Sequence, residues 1–276
     1  MLIHRIAAQL FQAEGPRTIE QALDEGKDAT LAVSQSGRTL LLAAQFARRP
    51  RPVVYVVSGE EAADRAARAL VAYLGLERVA RYPERRDLPW SAKADFDDAA
   101  VAQRCFALGR IARGEAVIMV ASARALLRCV PGPETPYWRE AHFAVGEEIP
   151  FEEVPRRLVS MGYTSSEAAD APGLFRVHGD TVDVFPAQAT APVRLEFFGD
   201  EIDRIRRMVS TTGQTIGDED AIDIYPCREL ALTDDAVARL RAALYQPAQQ
   251  DTELAALLEL ACARVATPEL DRFLPL

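Results

Sequence analysis

The run Gly173–Arg206, GLFRVHGDTVDVFPAQATAPVRLEFFGDEIDRIR, sets the architecture of this chain. It holds three strand-like stretches and the start of a fourth, with Gly-Asp at two reversals, Gly179-Asp180 and Gly199-Asp200. Gly-Asp supplies the positive backbone angle that a tight hairpin turn requires. Successive side chains on a strand point to opposite faces. In LFRVH, Phe175 and Val177 therefore point one way, and Arg176 and His178 the other. In VRLEFF, Val193, Leu195 and Phe197 face a core, while Arg194, Glu196 and Phe198 face away. EIDRIR and the later AIDIYP (221–226) supply further strands. The pattern predicts a small antiparallel sheet with one apolar face and one charged face.

The flanks complete the picture. FEEVPRRLVSMGY (151–163) reads as a helix, with Val154, Leu158 and Met161 on one face. Pro155 falls in its first turn, where the missing N–H costs little. Gly162 suits the left-handed position that ends a helix. Upstream, short apolar runs alternate with amphipathic segments. ATLAVS (29–34), RPVVYVVS (51–58), ERVARYP (77–83) and AVIMVAS (116–122) read as strands, separated by helices over 36–49, 60–75 and 97–113. That alternation predicts an α/β domain with a parallel sheet and helices on both faces. PGPETPYW (131–138) interrupts it with three prolines, and HFAVG (142–146) reads as a last strand or crossing linker. After Arg228 the chain returns to helix, and Thr267-Pro268-Glu269 reads as an N-cap followed by proline at N1. The expected divisions are 1–145, 146–230 and a helical return segment, 231–276, with the short last helix read as a cut from a longer protein.

Composition narrows the function classes. No apolar run approaches the roughly 20 residues needed to span a bilayer, and the start, MLIHRIAAQLFQ, lacks the features of a secretory signal. Cys105, Cys129, Cys227 and Cys262 are scattered, with no CxxC pair. This fits a reducing, cytoplasmic setting and argues against a disulfide frame or a zinc site. The net charge is −9, and it is unevenly placed: residues 1–143 carry 20 Lys/Arg against 17 Asp/Glu, and residues 144–276 carry 12 against 24. An acidic second half is a poor surface for phosphates, whose neutralisation drives nucleic-acid binding.

The main chemical candidate is AVSQSGRT (32–39), placed where a phosphate-binding loop would lie. Gly37 and Thr39 fit G-x-x-x-x-G-K-[ST], but Ala32 replaces the first glycine and Arg38 the lysine. A forked guanidinium is no plain substitute for that lysine. The loop reads as degenerate, so neither a bound cofactor nor a catalytic residue is expected. His178, beside a turn with no nucleophile near it in sequence, reads as a surface residue. Asp200, Glu201 and Asp203 read as turn chemistry, not a metal site. Cys105 and Cys129 read as packing residues, and ERRDLPWSAKADFDD (84–98) as an exposed loop around Trp90.

The run from Gly162-Tyr163 through FRVHGDTVDVFPA, VRLEFFGDEIDRIR and IYPCREL resembles the domain shared by the excision-repair helicase UvrB and the transcription-repair coupling factors. Upstream, RYPERRDLPW and GEAVIMVASARALLRCVP resemble the coupling-factor branch. The resemblance implies a degenerate RecA-like domain followed by a small α+β domain that docks UvrA. It implies a module without chemistry, in a parent protein whose ATP- and magnesium-dependent motor, RNA polymerase contacts and DNA contacts lie elsewhere. It also implies that the parent's own C-terminal domain masks the docking surface. The competing expectations are a truncated UvrB-type helicase/ATPase and a non-specific DNA-binding module. By resemblance, the docking residues are Arg176, Arg194 and Glu196. His178 stands where the family has a second arginine, and Thr164 and Ser165 stand where an arginine follows the Gly-Tyr pair.

Overall fold

The computed structural model describes residues 2–85, 98–132, 138–210, 212–230, 232–265 and 267–273. Most of the 84–98 loop, Trp90 included, lies outside them. The chain separates into two compact units, Met1–Glu84 with Arg113–Leu126, and Arg85–Ala112 with Leu127–Leu276. The segments expected as an interaction domain and as a helical return both lie in the second unit.

The first unit contains α1 (Leu2–Leu10), α2 (Glu14–Asp24), α3 (Gln35–Arg48) and α4 (Glu60–Leu74). Its strands are β1 (Val53–Val57), β2 (Val79–Tyr82) and β3 (Ile118–Ser122), which form a parallel sheet in the order β1-β3-β2. Val53, Tyr55, Val57, Val79, Ile118 and Val120 pack against a core that includes Ala43 and Phe46 of α3 and Ala63, Ala66 and Leu70 of α4. Small alanines let helix and sheet approach closely.

The expected strand at 29–34 is absent: residues 27–34 have no regular structure before α3 begins. Only Leu31 and Val33 in that run are sizeable apolar side chains, and neither is fully buried. Burying the remaining small residues offers too little hydrophobic gain to hold a strand in register.

The second unit contains α5 (Asp98–Ala112), β4 (Ala141–Ala144), α6 (Glu153–Ser160), β5 (Thr164–Ser165), β6 (Leu174–His178), β7 (Thr181–Val184), β8 (Val193–Phe198), β9 (Glu201–Met208), β10 (Thr215–Glu219) and β11 (Ala221–Ile224). It continues with α7 (Asp234–Ala248), α8 (Thr252–Cys262) and a 3-10 helix, Pro268–Phe273, where an α-helix was expected. Strands β5 to β10 form one sheet in consecutive order, and β11 pairs instead with β4. All neighbours in the larger sheet are antiparallel except β5 and β6. Its apolar face, with Phe175, Val182, Val184, Leu195 and Ile205, buries Val154 and Leu158 of α6. Burying a side chain such as Leu158 contributes about 1.5–3 kcal/mol.

Val177 departs from the expected alternation: it is 41% exposed. Strand β5 covers β6 only at Leu174 and Phe175, so Val177 lies past the end of its neighbour, at an uncovered edge. Cys105 is buried, and burial pushes its thiol well above the ordinary range. Cys129, expected to pack, is exposed.

Gly162 ends the α6 segment at φ +89°, and a Cβ there would lie 2.5 Å from Arg228 Cγ and 2.8 Å from Arg228 Cβ. Gly162→Ala is therefore expected to destabilise the second unit by about 1–3 kcal/mol, through both the backbone angle and the clash. Chemical denaturation checks this; an unchanged midpoint would contradict it.

Candidate partner-docking surface

The face of the larger sheet opposite the core is built by register. One row runs Arg176, Asp183, Arg194, Arg206, Asp218 across β6 to β10. A second runs His178, Thr181, Glu196, Arg204 across β6 to β9. Directly opposed side chains on neighbouring strands have Cβ atoms about 4.5–5.5 Å apart, so the charged groups of each row lie within reach of one another.

The pairs form selectively. Arg194 donates to both oxygens of Asp183, Nε at 2.6 Å and Nη2 at 2.8 Å. Hydrogen bonding to Asp183 raises the Arg194 pKa further above its already high value. Arg206 bridges to Glu196 at 3.1 Å and lies 3.7 Å from Asp218, and Arg207 pairs with Glu219 at 2.8 Å. The opposed arginines Arg194 and Arg206 are thus each matched by a carboxylate. Arg176 is half-buried and has no carboxylate partner among the described residues.

The expected docking residues sit as follows. Arg176, Arg194 and Glu196 share this face, and His178 lies exposed at its end beside the β6–β7 turn, where its carbonyl accepts from Thr181 Oγ1 at 2.8 Å. Thr164 is exposed and aligned with Leu174, which places it on the face of Arg176. Ser165 is aligned with Phe175, on the other side of the ladder. One residue not assigned from sequence stands out: Phe198 continues the outward series of Arg194 and Glu196 and is 82% exposed. The signal was present in VRLEFF, because its second phenylalanine falls out of phase with the core.

The 32–39 loop was the other candidate. Ser34 caps α3, its Oγ accepting from the backbone N–H of Gly37 at 3.3 Å, and Thr39 Oγ1 donates to the carbonyl of Ser36 at 3.4 Å. In a phosphate-binding loop such groups meet the ligand; here the chain itself occupies them. A Cβ on Gly37 would lie 2.6 Å from Val33 Cγ1, so packing alone accounts for this glycine. Ala32 and Arg38 are exposed, and Arg38 and Thr39 line an open cleft of about 900 Å³ with Tyr55, Ser58 and Arg65. Arg65 is paired with Glu61. Among the described residues, no group of three or more His, Cys, Asp or Glu is placed to hold a metal ion, and no helix is long and apolar enough to cross a membrane.

Residues 141–230 match the family described as the UvrB interaction domain. The chain is 34% identical over 251 residues to the transcription-repair-coupling factor of Myxococcus xanthus, covering 87% of this chain and 21% of that protein. It is 31% identical over 227 residues to the coupling factor of Bacillus subtilis, covering 81% of this chain and 19% of that protein. It is 29% identical over 242 residues to the UvrABC system protein B of Thermotoga petrophila, covering 81% of this chain and 36% of that protein. The chain therefore spans about a fifth of the length of the coupling factors it matches. Residues 141–230 are thus a UvrB interaction domain, and most of the chain is similar to a part of the transcription-repair-coupling factors and of the UvrABC system protein B.

Proposed function

We propose that this chain is a non-catalytic module of a cytoplasmic transcription-repair coupling factor. In this reading it serves nucleotide excision repair by recruiting UvrA to stalled RNA polymerase. The observation that carries the reading is the charged face of the β5–β10 sheet, lying within the segment that matches the UvrB interaction domain. Guanidinium and carboxylate groups fixed on a sheet give a docking partner defined charges at defined positions, which sets specificity and encounter rate. Phe198 adds an exposed aromatic of the kind that anchors interfaces. Polymerase contacts, DNA contacts and the ATP- and magnesium-dependent motor belong to other parts of the parent protein, whose C-terminal domain covers this face at rest. The degenerate reading of the 32–39 loop is supported by the internal capping of α3 through Ser34.

Titrating this chain with purified UvrA tests the proposal. Saturable binding that weakens as salt rises is expected, since exposed charges are screened. Phe198→Ala is expected to weaken it by about tenfold, or 1.4 kcal/mol. Absence of saturable binding at low salt would overturn the recruiting role, and an unaltered affinity of the Phe198 variant would take that ring out of the interface.

A further inference from the structure

Resting on the docking role above, we infer that Asp183 is a positioning residue of this surface, acting on the partner through Arg194. The carboxylate is poorly placed to meet a partner directly: Asp183 is 6% exposed, and both of its oxygens are bound by Arg194. Arg194, by contrast, keeps a third of its side chain exposed. The fork engages Asp183 with Nε and Nη2, and the N–H groups on Nη1 make no bond among the described residues. Asp183 therefore fixes the plane of the guanidinium and leaves its other edge for a partner's carboxylate, the acceptor that matches a planar fork.

The neighbouring strand sharpens the assignment. Asp183 lies between Arg176 on β6 and Arg194 on β8, directly opposite each. It forms its hydrogen-bonded pair with Arg194. Arg194 is thus ordered before the partner arrives, whereas Arg176 has no carboxylate partner among the described residues. A long side chain loses rotamer freedom when a partner immobilises it, and pre-ordering removes that loss from the binding step.

Two effects of Asp183 oppose each other, and their signs differ in an experiment. As a charge, Asp183 offsets part of the positive potential that attracts acidic groups, so its removal would tighten binding. As a positioning group, it orders Arg194, so its removal weakens binding. The bidentate geometry and the burial of the carboxylate favour the second effect. The chemical class of the contact follows: a carboxylate side chain of the partner received on the Nη1 edge of Arg194.

The test measures UvrA binding by the whole chain in a double-mutant cycle, with thermal unfolding recorded for every variant. Asp183→Asn is expected to bind about tenfold more weakly than wild type, and to add no further loss in an Arg194→Gln background. Arg194→Lys, which keeps the charge, discards the fork and spares Asp183, is expected to lose about as much as Asp183→Asn. An unchanged or tighter affinity of Asp183→Asn, an equal loss in both backgrounds, or full binding by Arg194→Lys would each overturn the inference while leaving the docking role standing. Failure of the wild-type chain to bind overturns the docking role itself, and the inference with it.

Discussion

Glu229→Ala is expected to lower the stability of the second unit by about 3–5 kcal/mol, the range for removing one partner of a buried ion pair. Glu229 is fully buried. It accepts from Arg104 Nε at 2.7 Å and from Arg85 Nη1 at 3.2 Å, and the same Arg85 nitrogen donates to Asp271 at 2.7 Å. The side chains of Arg85, Arg104 and Asp271 are each at most 2% exposed. Burial pushes the Asp271 carboxyl above its ordinary range, against the pull of Arg85. Removing Glu229 leaves two buried guanidiniums with one fewer carboxylate. The cluster also ties together points 125 to 186 residues apart in sequence, so its loss loosens the exit of the interaction domain, α5 and the last 3-10 helix at once. Against a typical total of 5–15 kcal/mol, such a loss is severe. Urea unfolding followed by tryptophan fluorescence reads it, since Trp138 is buried in the same unit. A loss below about 1 kcal/mol would show that the cluster is solvated or replaceable.

Arg194→Glu is expected to weaken UvrA binding by more than tenfold, above about 1.4 kcal/mol. The substitution removes the fork that Asp183 orients and sets a new carboxylate opposite Asp183 and near Glu196. A partner's carboxylate would then meet like charge, which raises the cost above simple truncation. The substitution also strips the buried Asp183 of its partner, so thermal unfolding of the variant is recorded beside its binding. Affinity unchanged within twofold would exclude Arg194 from the interface even if UvrA still bound.

Much of the small domain follows from local pattern. The period-2 alternation of VRLEFF matches the burial of β8 residue by residue. Gly179 and Gly199 take positive φ at the two expected turns. The i, i+4, i+7 spacing of Val154, Leu158 and Met161 buries all three. These features are local because a strand or helix with one wet face must repeat its apolar residues at the period of the backbone. Strand β10, TIGDE, escaped notice for the same reason: an edge strand with exposed Ile216 and a register shift at Thr215/Gly217 has no apolar rhythm.

Sequence alone therefore established the antiparallel platform, its two faces and the outward direction of Arg176, Arg194 and Glu196. Folding in three dimensions selected which charges became partners. Asp183 took Arg194, Glu196 took Arg206, Arg176 kept no carboxylate among the described residues, and Glu229 joined Arg85 and Arg104. Periodicity assigns a side chain to a face, whereas an ion pair depends on the register between strands and on segments that meet only when the core closes.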